Sequence, residues 1–79
     1  MGKENDIKVE IVDSMGYITM KENGSSQQVN IVKWNGGEPK IDIRNWSPTQ
    51  TPWKGISIEP KDLDTLIALL EQARSRIGE

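Results

Sequence analysis

The sequence predicts an α+β domain in which an antiparallel sheet precedes a single C-terminal helix. Three observations carry this. Lys40-Ile41-Asp42-Ile43-Arg44-Asn45-Trp46 alternates strictly, with Ile41 and Ile43 on one side and Lys40, Asp42, Arg44 and Trp46 on the other. That is the period of a strand with one face on a core and one in water. Asn35-Gly36-Gly37, just before it, is a strong hairpin signal, so the strands it joins run antiparallel. After Pro60, the residues Leu63, Leu66, Ile67, Leu70, Ala73 and Ile77 recur at helical spacing.

Taken in order, Met1 to Asn5 is polar and expected to fray. Ile7, Val9 and Ile11 begin a strand, Asp13-Ser14-Met15-Gly16 interrupts it, and Tyr17 to Met20 resumes it. This is either a hairpin of two short strands or one long strand bent by a bulge at Gly16, and the bent strand is preferred. Asn23-Gly24-Ser25-Ser26 is a turn, and Gln27 to Trp34 is the next strand. The third strand runs from about Pro39, a position where a missing N–H is tolerated, to Trp46. Ser47 to Pro52 is a loop, and Lys54 to Ile58 is a short last strand with Ile56 and Ile58 toward the core. Pro60 suits a first helical turn. Asp62 and Asp64 suit the helix N-terminus and Arg74 and Arg76 its C-terminus, before Gly78 ends it.

Length limits the chain to one domain, residues 1–79, with a modest core. It contains neither Cys nor His, so no disulfide, thiolate site, or histidine ligand or base is available. No metal, cofactor or catalytic residue is expected. Ser57 and Tyr17 have no evident base beside them, and the glycines fit no phosphate-binding loop. The first residues lead into no long apolar stretch, and the run Leu66 to Leu70 is too short for a bilayer. The expected location is the cytoplasm, at the nucleoid if the source is bacterial, with no membrane partner. Oligomerisation is the remaining way to enlarge the core. The helix stripe is widened by Leu69: either one flank covers the sheet and the other meets a partner helix, or Leu69 is simply exposed. A homodimer through Leu66, Leu69, Leu70 and Ala73 is the preferred expectation.

The overall net charge is −2, but it is unevenly spread. Residues 27–58 hold Lys33, Lys40, Arg44 and Lys54 against Glu38 and Asp42, and all three Trp. A basic, aromatic centre suits single-stranded nucleic acid: bases stack on indoles while cations follow the phosphates. Each signal alone is ambiguous. Trp34 reads equally as a hairpin-end core residue, and Trp53 as packing on the sheet edge. Trp46, sharing a face with Lys40 and Arg44, is the strongest stacking candidate. Asp42 reads as a charge-pairing residue between Lys40 and Arg44. The alternative is a non-enzymatic module binding an acidic or extended peptide at a sheet edge.

Two motifs sharpen this. Pro39-Lys40-Ile41-Asp42-Ile43-Arg44-Asn45-Trp46 and Trp53-Lys54-Gly55-Ile56-Ser57-Ile58-Glu59-Pro60 resemble the single-stranded-DNA-binding domain of the positive cofactor 4 coactivator family. Lys33-Trp34-Asn35-Gly36-Gly37 is closer to its bacterial, YdbC-like branch. The resemblance covers residues 27 to about 73. It implies a curved four-stranded sheet, a homodimer through helices and sheet ridges, and single-stranded DNA bound largely without sequence preference. RNA is a further possible partner, because 2′-OH recognition leaves no short motif. Transcription regulation, replication and repair are all compatible processes. Lys33, Lys40, Arg44 and Lys54 are the expected phosphate contacts, and Trp34, Trp46 and Trp53 the stacking residues, with Tyr17 and Lys21 as secondary candidates. Pro52-Trp53 departs from the coactivator pattern, which carries a basic residue and Gly there.

Overall fold

The computed structural model describes residues 8–78. The expected fraying of residues 1–5 lies outside them. Four strands form one antiparallel sheet in sequence order: β1 (Val9–Met20), β2 (Ser26–Trp34), β3 (Lys40–Trp46) and β4 (Pro52–Ile58). A 3₁₀ turn (Pro60–Asp62) leads into α1 (Leu63–Arg76). The α+β arrangement is the one the sequence predicts.

Asn35 and Gly36 have φ of 53° and 77°, and Gly37 N donates to Trp34 O at 2.9 Å. This turn, with φ positive at both central residues, matches the twist of the flanking strands. Asn35 also ties down the start of β1: its Oδ1 accepts from Lys8 N, and its N donates to Lys8 O.

β1 is one bent strand, as preferred from the sequence, but bent three times. Its pairing with β2 shifts between Ile11 and Asp13, between Ser14 and Gly16, and between Tyr17 and Thr19. Val12, Met15 and Ile18 are the residues left over. Each shift adds local twist. β4 starts at Pro52, two residues before the expected Lys54, because the β3–β4 ladder resumes at Trp46–Pro52 beyond a further bulge.

The helix begins one turn later than expected. Asp64 lies in its first turn and Arg74 and Arg76 in its last, matching the dipole. Gly78, at φ 83°, follows its end. None of the helix residues is buried, and only Leu63 and Leu66 are even half-buried. The expected covering of the sheet by one helix flank is therefore not made within the protomer. Among the described residues only Val32 and Trp46 are buried apolar side chains.

Candidate nucleic-acid interface

Directly opposed residues in a sheet share a face. Tyr17, Gln28, Arg44 and Gly55 form one row, and Ser14, Asn30, Asp42 and Ser57 the next. Val32 with Lys40, and Ser26 with Trp46, complete this polar face. The other face carries Val29, Ile43 and Ile56, then Ile31, Ile41 and Ile58, and at its end the polar row Thr19, Gln27 and Asn45. Lys33, opposite Glu10, belongs to this second face.

The polar face is held by one connected network. Asp42 accepts from Arg44 Nε at 2.6 Å, from the same guanidinium's second nitrogen at 2.8 Å, and from Ser57 Oγ at 2.7 Å. Ser57 Oγ in turn accepts from Trp34 Nε1 at 2.9 Å. Since β3 lies between β2 and β4, the Trp34 side chain must reach across β3 to make that bond. The Arg44 guanidinium stacks on the Trp34 ring, 4.8 Å from its centroid, and donates to Trp53 O at 2.9 Å. Gly55 makes room for this: a Cβ there would overlap Arg44 Cα and Cβ and Ile43 O. Beside it, Asn30 Nδ2 donates to Gln28 Oε1, and Gln28 Nε2 donates to Ser26 Oγ and to Gln50 Oε1 in the β3–β4 loop.

This network reverses one expectation. The alternation along β3 is as predicted, but in the protomer the polar side is the closed one. Asp42 is fully buried and Trp46 is 3% exposed, whereas Ile41 and Ile43 are half-buried. The Asp42 network and the bridging indole close over part of the polar face, while no element among the described residues covers the apolar one. Trp46 is accordingly corrected as a stacking residue: its ring offers no open face to a base. Its Nε1 and Asn30 Oδ1 are buried without a hydrogen-bond partner. Arg44 is likewise no free cation, since its side chain is 14% exposed and paired to Asp42.

The remaining candidates fall into two groups. Half-buried Trp34 and Lys40 share the polar face with exposed Tyr17. Lys40 pairs with Glu59 at 3.1 Å, an exposed contact that contributes little and exchanges readily. Lys21, Trp53 and Lys54 gather elsewhere, around Asn45. Trp53 is 51% exposed. It lines a cleft with Asn45 and Lys54 and, with Asn45, a second one beside Thr19, Lys21, Ser25 and Ser26. Lys33 stands apart from both groups. Of the expected dimer residues, Leu69, Leu70 and Ala73 are exposed and Leu66 is half-buried.

Sequence reasoning missed Ser57 as the link between Trp34 and Asp42, Asn45 as a neighbour of Trp53, and Gly55 as the opening for Arg44. Only Gly55 left a signal, a glycine interrupting an otherwise strand-like run.

Among the described residues no group of His, Cys, Asp and Glu could hold a metal ion, and no helix is long and apolar enough to cross a membrane. Fold and surface together define an open-faced α+β sheet domain that displays cations and indoles. A family model described as Transcriptional Coactivator p15 (PC4) matches residues 21–69, more than half of the chain. An uncharacterized protein of Treponema pallidum (strain Nichols) is 31% identical over 67 residues, covering 84% of this chain and 79% of its own length. The chain belongs to the PC4 family, a family of DNA-binding, coactivator-like proteins.

Proposed function

We propose that a homodimer of this chain binds single-stranded DNA largely without sequence preference and so serves transcription regulation or DNA replication and repair. RNA is a second substrate of the same surface. Trp34 and Tyr17 stack on bases, Lys40 follows the phosphates, and Trp53, Lys54 and Lys21 extend the path over the β4 bulge, while Lys33, on the second face, stands off this path. Arg44 acts at one remove, by fixing the Trp34 ring. The observation that carries the reading is the set of half-exposed indoles set beside cations on an open sheet, in a chain of this family. Stacking contributes about 1–3 kcal/mol per base and is indifferent to base identity.

The dimer is supported by the core. Among the described residues twelve large apolar side chains are exposed, Ile56, Ile67, Leu69, Leu70 and Ile77 among them, against the two that are buried. A second copy that places its helix against Leu66, Leu69, Leu70 and Ala73 removes much of that surface from water, at about 25 cal/mol per Å².

Two measurements test this. Titration with oligo-dT should quench Trp emission, with weaker binding to a duplex of matched length and affinity falling as salt rises, because phosphate contacts release counterions. No response to the single strand would overturn the function. Sedimentation should show a dimer, and Leu70→Asp should dissociate it and lower its melting temperature. A monomeric wild type at micromolar concentration would overturn the dimer alone.

A further inference from the structure

The β3–β4 ladder passes from Arg44–Gly55 directly to Trp46–Pro52. Two residues of β4, Trp53 and Lys54, therefore oppose the single residue Asn45. Such a bulge re-aims side chains that regular pairing would send to opposite faces. The result is an open cleft of about 450 Å³ lined by Asn45, Trp53 and Lys54. A smaller one of about 120 Å³ adjoins it, bringing in Lys21 and Thr19.

The contents of this cleft are chemically specific. Trp53 presents an exposed indole. Lys54 and Lys21 are exposed ammonium groups, and the ion pairs among the described residues are made by Lys40 and Arg44 instead. Asn45 is exposed, and its carboxamide makes no hydrogen bond among the described residues, unlike those of Gln28, Asn30 and Gln50. A stacking ring, a phosphate-seeking cation and a free donor–acceptor pair meet at one point.

We infer that this cleft is a base-reading subsite with a preference for adenine, resting on the proposed single-stranded DNA binding. A carboxamide pairs with adenine in a bidentate way, donating to N7 and accepting from the N6 amino group. Trp53 stacks on the ring system, and the larger purine covers more of the indole. Lys54 takes the adjoining phosphate. Binding elsewhere on the sheet is indifferent to sequence; here one nucleotide is chosen.

The test compares oligo-dT with the same oligonucleotide carrying a central adenine run, both measured on the wild-type dimer by fluorescence anisotropy. The adenine-bearing strand should bind about five-fold more tightly, the low end of what such a pair discriminates. Asn45→Ala, at an exposed position, should bring the two affinities together. Trp53→Ala should weaken both. Replacing the adenines with 7-deazaadenine, which lacks the N7 acceptor, should return wild-type affinity toward the thymine value. Equal affinity for the two strands, or a preference that survives Asn45→Ala, overturns the subsite and leaves the proposed function standing. Failure of the wild type to bind either strand overturns both.

Discussion

Gly55→Ala is expected to leave the chain unfolded at ordinary temperatures. The added Cβ would sit within the van der Waals radii of Arg44 Cα and Cβ and of Ile43 O. Two of those atoms are backbone of the paired strand, so no rotamer change relieves the overlap. β3 and β4 must separate, and with them goes the Arg44 bond to Trp53 O. Overpacking in a tight core costs about 1–3 kcal/mol, and separating two paired strands adds to it. Small domains hold a total near the low end of about 5–15 kcal/mol. Gly36→Ala is the comparison. Gly36 needs its φ of 77°, but a Cβ there meets nothing within 4 Å, so the expected loss is about 1–2 kcal/mol, the ordinary cost of a left-handed non-glycine residue. Thermal melts followed by circular dichroism should show no cooperative transition for Gly55→Ala and a modest downward shift for Gly36→Ala. A wild-type melting temperature in Gly55→Ala would contradict the crossing geometry.

The same strand pair shows what a sequence can and cannot disclose. Alternation along Lys40 to Trp46 identified which residues share a face, because side-chain period is a local property of the backbone. Asn35-Gly36 located the hairpin because few residues accept positive φ at both central positions. Which face is closed depends on what lies across the sheet, and alternation carries no information on that. Asp42 looks like part of a wet ridge until Trp34, brought by β2, and Ser57, brought by β4, are placed beside it. The bulge at Trp53 and Lys54 was equally hidden. A one-residue offset in pairing changes the face of a side chain without changing the composition around it. Consequently Lys21, Trp53 and Lys54, picked singly from the sequence, proved to be neighbours, while Asn45 was passed over as an ordinary strand residue.

Asp42→Ala should destabilise the domain by about 3–5 kcal/mol, the cost of leaving one partner of a buried ion pair uncompensated. Arg44 would retain only Trp53 O and the face of Trp34. Ser57 would lose its acceptor on Asp42, loosening the anchor of the Trp34 ring. Arg44→Ala should cost a similar amount, because Asp42 would keep only the Ser57 hydroxyl. The sequence-based reading of Arg44 as a phosphate contact carries no such structural cost. The double substitution should be much milder than the sum of the singles, since it removes both charges together. Burial of the pair is no large net source of stability; its worth lies in aiming the indole. Denaturant unfolding of the four proteins gives the coupling energy directly. A coupling of about 3–5 kcal/mol, as large as either single loss, fits the network, and additive singles would contradict it. The functional consequence follows from Trp34. A variant carrying Asp42→Ala and Arg44→Ala that still folds should bind oligo-dT more weakly at all sequences, because the released indole must be ordered afresh by each strand it meets. The adenine preference assigned to Asn45 should survive in it, since Asn45 lies on the face of the sheet opposite the deleted pair.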